Sequence, residues 1–194
     1  MIKNLEHLMY QISDLFMAPV LILLVGLFFY SLYALGGFAM QAVQRKQGAS
    51  AFRAFLGIDL HDTDVPAPRG YPLVAAALAR PGASKDDLDV AALAEMEGVR
   101  LVSRIAPMLG LIATMIPMGP ALQSLSDGDV QGISENLIIA FSAVIFGLVV
   151  ASITFFIASI KRKWLAEELV ALIPLLEKRA LTQNKQEEPH REAA

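Results

Sequence analysis

Hydroxyl side chains stand inside three runs of sequence that carry no charge. Thr114 lies near the middle of residues 105–126, and Ser142 lies about a quarter to a third of the way into residues 136–160, with Ser152, Thr154 and Ser159 further along. A hydroxyl both donates and accepts a hydrogen bond, so it can help a proton carrier without holding the charge itself. Alone, each could simply bond the carbonyl one turn back in its own helix. The prolines around Thr114 change that balance. Pro117 and Pro120 free the carbonyls of Ala113 and Ile116, with Pro107 a further interruption upstream. Freed carbonyls at membrane depth need protein or water beside them rather than lipid. Thr114 is therefore expected on a kinked face turned to a cavity or a partner. Gly110, Ala113 and Gly119 are small enough to let that partner approach. Neither run contains Asp, Glu, Lys, Arg or His. A proton path through such a chain needs an acid that another subunit brings.

Other chemistry is missing. His7, His61 and His190 sit in separate regions without metal-ligand spacing, and the His61-Asp62-Thr63-Asp64 stretch reads as a polar turn. There is no phosphate-binding glycine loop, no Ser–His–Asp arrangement and no HExxH pair. The chain has no cysteine, so it has neither disulfides nor thiol chemistry. We expect no enzyme activity, no cofactor, no metal and no nucleic-acid partner.

The elements that position these groups are membrane helices. Of 194 residues 55% are hydrophobic and 18% charged, and the mean hydropathy is +0.52. Residues 15–44, 105–126 and 136–160 each lack any ionisable group but tyrosine. Each meets the roughly 20 residues a helix needs to cross a bilayer. A soluble bundle would keep a polar stripe on such helices, and these have none. The first run is too long for the apolar core of a signal peptide. Residues 1–14 hold one cation, the 127–135 loop none, residues 45–104 eight, and the segment from Lys161 onward seven. Positive flanks stay inside, which places the N-terminus outside and the C-terminus in the cytoplasm.

The expected fold is all-α. Residues 1–16 form an amphipathic helix on the outer surface, with apolar positions Ile2, Leu5, Leu8, Met9, Ile12, Leu15 and Phe16 at helical spacing. The chain then turns at Pro19 into a first span over 17–44. Tyr30, Tyr33 and Phe38 there are either interfacial anchors or ordinary packing. Residues 45–104 form a cytoplasmic helical segment with a loop over 59–84. Ser84 and Asp87 fit a capping box that starts a helix running into the second span, 105–126. An outer loop, 127–135, leads to the third span, 136–160. Residues 161–194 continue as a cytoplasmic helix with a Leu165, Leu169, Leu172 and Leu176 stripe, then a disordered tail after Thr182. Glu167, Glu168, Lys178 and Arg179 are expected in water.

IAPMLGLIATMIPMG, residues 105–119, resembles the second-span motif of the MotA/TolQ/ExbB proton-channel proteins, an Ala-Pro-x-Leu-Gly-Leu-x-Gly-Thr pattern. GISENLIIAFSAVIFGLVVA, 132–151, is similar to their third-span motif, and the likeness covers roughly residues 85–165. Size and layout are nearer the ExbB/TolQ members than the flagellar stator. The resemblance implies a homo-oligomeric ring, a pentamer in known cases, around an ExbD/TolR-like single-span partner whose membrane aspartate takes up the proton. It also implies a stator role in ion and protein transport. Ala106, Pro107, Leu109, Gly110, Leu111 and Thr114 match the motif, which makes Thr114 the implied pore hydroxyl; Glu135 and Leu137 match the outer end of the third span. Two departures stand. Ala113 replaces a glycine, and the third-span threonine falls on Val144 or Ala140, depending on register, with Ser142 the nearby substitute. Pro107, Gly110, Pro117, Gly119, Pro120 and Gly147 are the expected packing and kink residues. A non-conducting membrane scaffold is the competing expectation.

Overall fold

Within hydrocarbon a backbone must satisfy its own hydrogen bonds, and a helix does so along one segment. The charge-free runs accordingly become long helices. The structure, a computed structural model, describes residues 2–57, 67–80 and 82–191. Its elements are α1 (Ile2–Phe55), α2 (Pro72–Ala79), α3 (Lys85–Ser126) and α4 (Val130–Arg191), and the described residues contain no strand. α1, α3 and α4 are each long and apolar enough to cross a membrane.

Three boundaries differ from expectation. No turn occurs at Pro19, which lies inside α1, so the N-terminal amphipathic segment and the first span are one helix. A proline deletes one helical hydrogen bond, whereas a break at that depth would strand several. The 59–84 loop contains α2, with Pro72 at its start and an Ala-Leu-rich body, both good helix chemistry; residues 59–66, the His61–Asp64 turn among them, lie outside the described residues. The tail expected to be disordered after Thr182 is helical to Arg191, in keeping with its Gln, Lys and Glu content; residues 192–194 lie outside the described residues.

The chain divides into two compact units. The first comprises residues 1–36 and 99–157. In it α3 and α4 pack antiparallel along a seam of small residues. On α3 the buried positions include Val102, Ala106, Ala113 and Ala121, and on α4 Ala140, Ala143, Val150, Thr154 and Ile157. Alternate steps of three and four residues keep one face of each helix on the seam. Val20 and Leu24 of α1 pack against Ala113 and Ala143, and Phe28 meets Phe146 edge-on at 5.2 Å.

The second unit comprises residues 37–98 and 158–194. Its core joins Phe55 of α1, Leu73, Val74 and Ala77 of α2, Leu88 and Met96 of α3, and Leu165, Leu172 and Leu176 of α4. The leucine stripe on α4 is therefore the buried face. The spacing 165–168–172 puts Glu168 on that same face, and its side chain is 0% exposed rather than in water. Arg179, also expected in water, is nearly buried. Glu168 accepts the Val74 amide N–H at 2.9 Å through one oxygen and Arg45 Nη1 at 3.2 Å through the other. Arg45 Nη2 donates to the Trp164 carbonyl at 3.2 Å. Its guanidinium lies 4.4 Å from the Tyr71 ring centre and 5.3 Å from that of Trp164. Phe52 stacks on the far side of Tyr71, and Phe38 stacks on Trp164. The result is a ladder of rings with one cation in the middle, a geometry that rewards a desolvated guanidinium. Phe38 is thus a packing residue. Gly70 carries the loop into this contact at φ +85, where any Cβ would lie 2.8 Å from the Arg45 backbone nitrogen.

At the start of α3 the capping box forms. The Asp87 carboxylate accepts the Ser84 N–H and hydroxyl, both at 2.8 Å, and the Ser84 oxygen accepts the Asp87 N–H at 3.3 Å. These bonds, the Ser84 N–H first, hold the Asp87 carboxyl below its ordinary value of 3.8. A depressed folded-state value means that the cap is fully formed above that ordinary value and is lost as pH falls through the lowered one. Protection of the amides in the Lys85–Leu88 turn, relative to their intrinsic exchange rates, should therefore fall on acidification below the ordinary value, and Asp87→Asn should remove that pH dependence.

Candidate functional site

The candidate site is the membrane part of the first unit. Its foundation is a close backbone contact between α3 and α4 in the seam. A Cβ added at Gly147 would lie 2.8 Å from the Ala106 carbonyl oxygen and 3.1 Å from the Gly110 Cα. A Cβ at Gly110 would meet only ordinary contacts, 3.5 Å to the Val144 Cα and 3.6 Å to the Gly147 Cα. The two glycines named from sequence are thus brought together, and backbone touches backbone between them. Pro117 is fully buried, Pro107 and Pro120 are half-buried, and Gly119 is exposed. α3 continues through all three prolines.

Thr114 is half-buried, and its hydroxyl donates to the Leu111 carbonyl at 2.7 Å. Ser142 is exposed and donates to the Ile138 carbonyl at 2.7 Å. Ser152 bonds Leu148 in the same way, and Thr154, fully buried on the seam, bonds Val150. Every one of these hydroxyls has its proton on its own helix and its lone pairs free. In this state each is an acceptor.

Helix geometry separates the two hydroxyls chosen from sequence. Thr114 follows the seam residue Ala113, a rotation of about 100°, whereas Ser142 precedes Ala143 by the same angle. Because α3 and α4 run in opposite directions, these rotations carry the two side chains to opposite sides of the pair. Ser142 sits one turn before Phe146, the residue that meets Phe28 of α1. The side on which Thr114 leaves the seam carries Val144 and Ala140, the two positions onto which the absent threonine falls. At the level of Thr114 that face therefore offers, among the described residues, one hydroxyl and not two.

Sequence reasoning missed the Arg45–Glu168 pair. Its signal was available in the three- and four-residue steps that place Glu168 among leucines.

Residues 89–173 match the model of the MotA/TolQ/ExbB proton channel family. The match runs through most of α3 and the membrane part of α4, and so includes the whole seam. No curated protein and no solved structure matches the chain significantly. With its three membrane-capable helices, the chain is a multi-pass membrane protein, and over residues 89–173 it is similar to that proton-channel family.

Proposed function

We propose that this chain, from its likeness to the MotA/TolQ/ExbB proteins over residues 89–173, is the ring-forming subunit of a proton-driven motor of the ExbB/TolQ kind in a bacterial or archaeal inner membrane. Copies of the chain surround an ExbD/TolR-like single-span partner, which supplies the membrane aspartate, and the assembly energises envelope transport. The N-terminus faces outward and the C-terminus the cytoplasm. The chain performs no covalent chemistry.

The observation that carries this reading is Thr114: a half-buried hydroxyl in an uncharged span, with its proton committed to Leu111 and its oxygen lone pairs available. A neutral carboxylic acid presented by the partner donates to that oxygen. Once the acid ionises, the hydroxyl has to swing its proton from Leu111 to the carboxylate. Thr114 thus stabilises both states of a group that bare hydrocarbon would penalise by several kcal/mol. Removing the hydroxyl leaves one polar group unmatched, an effect of about 1–3 kcal/mol, or roughly 5- to 150-fold in rate. In vesicles containing the chain and its partner, Thr114→Val should lower proton flux by a factor in that range, and Thr114→Ser should retain most of it. Ser142→Ala, on the α1 side, should conduct like the parent. Equal flux in the parent and Thr114→Val would overturn the assignment.

A second reading, the non-conducting scaffold, draws support from Val144 and Ala140, which put no hydroxyl opposite Thr114. Absence of flux in the parent assembly with its partner present would favour it.

A further inference from the structure

We infer that the second unit holds an anionic phospholipid in a groove at the end of the apolar run of α1. The groove encloses about 480 Å³ between one face of α1 and the loop that leads into α2. Gly37, Met40, Gln41 and Gln44 form the α1 wall at steps of three and four residues, and Arg69 and Tyr71 are prominent on the other.

Depth and charge choose the occupant. Gly37 and Met40 lie inside the charge-free run 15–44, Gln41 and Gln44 stand at its end, and the first cations after it are Arg45 and Lys46. One end of the groove therefore opens at hydrocarbon level and the other at the level of the headgroups. A molecule resident in the leaflet reaches it from the side; a soluble one does not. An acyl chain suits the Gly37 and Met40 end, where a Cβ built on Gly37 meets nothing within 4 Å. At the other end two carboxamides can donate hydrogen bonds, and Arg69 adds a planar, permanently charged donor. No Asp or Glu is among the described lining residues. The neighbouring Arg45 is already matched by Glu168, so among the described residues Arg69 is the charge at the site without a counter-ion. A phosphodiester headgroup supplies the missing anion, and a headgroup whose phosphate is balanced by its own cation does so less well.

This inference needs the chain to lie in a membrane but not to conduct protons. A failed flux experiment leaves it standing, and its own failure leaves the conduction reading standing.

The test is native mass spectrometry of the intact chain released from detergent after equilibration with dioleoylphosphatidylglycerol, dioleoylphosphatidylcholine or inorganic phosphate. The parent should retain phosphatidylglycerol in preference to phosphatidylcholine, and inorganic phosphate should not displace it. Arg69→Gln should lower retention by about fivefold, the share of one basic side chain at an anionic surface. Gly37→Leu, which fills the slot from the open side, should lower retention of both lipids. Lys46→Gln, an exposed cation outside the groove, should change nothing. Equal retention of the two lipids, displacement by free phosphate, or an equal effect of Lys46→Gln and Arg69→Gln would overturn the inference. Absence of any retained lipid on the parent would also overturn it, as would be found if a second copy of the chain covered the groove. Arg69 is exposed, so its variant keeps the fold; an unchanged helical circular-dichroism signal verifies this.

Discussion

Glu168→Ala should destabilise the second unit by about 3–5 kcal/mol, the cost of leaving one member of a buried ion pair without the other. Arg45 would keep only the Trp164 carbonyl, a long contact to Gly70 and its two rings, with no counter-ion in a site where its side chain is 12% exposed. Arg45→Met should cost a similar amount for the mirror reason, since Glu168 would retain backbone N–H groups, that of Val74 first, but no cation. The double variant Arg45→Met, Glu168→Met should be more stable than either single one, because apolar replacement of both partners leaves no stranded charge. Thermal unfolding in a mild detergent, arranged as a double-mutant cycle, measures this coupling. A double variant as unstable as the sum of the singles would show that the pair is not coupled.

The same group makes a pH prediction. Burial pushes the Glu168 carboxyl above its ordinary value of 4.5, against the opposing pull of the Val74 N–H and Arg45. Between the ordinary and the raised value, the folded chain therefore holds a proton that the unfolded chain has lost. Stability should fall as pH rises through that window, the reverse of an exposed carboxylate with a favourable partner. Glu168→Gln should flatten the slope there while keeping an acceptor for the Val74 N–H.

Gly147→Ala should have the next largest effect. Its new methyl would press on the Ala106 carbonyl oxygen and the Gly110 Cα, atoms of backbone that cannot rotate away. Overpacking of this kind costs about 1–3 kcal/mol. Gly110→Ala is the informative control, because its methyl would meet Val144 and Gly147 at ordinary separations. Proteolysis or thermal midpoints in detergent should rank the parent and Gly110→Ala together and Gly147→Ala well below. An equal loss from both would show that the seam adjusts more freely than its contacts indicate.

Much of the membrane architecture was legible because hydrocarbon imposes few solutions. An uncharged run of sufficient length becomes a helix, and small residues at seven-residue spacing become the face where two helices meet. The Ser84–Asp87 box was equally legible, since a cap depends on residues three apart in sequence. What escaped depended on distant partners. Glu168 looked like one acid among several until Arg45, 123 residues earlier, supplied the reason to bury it. Pro19 looked like a turn because proline's local cost is easily read, while the larger cost of opening the helix around it is not. Ser142 is a hydroxyl like Thr114, but its side of the helix is set by one step relative to Ala143, which motif spacing alone left ambiguous.

The contact of Gly147 with Ala106 and Gly110 has a mechanical consequence. Interlocked side chains can hop between rotamers and let two helices slide past one another. Where main chain abuts main chain, there is nothing to swap, and slippage would have to separate the pair first. Within the first unit, α3 and α4 are therefore a single stiff pair. If the proposed proton-driven motion exists, it has to occur along the outer edges of this pair and not down its middle.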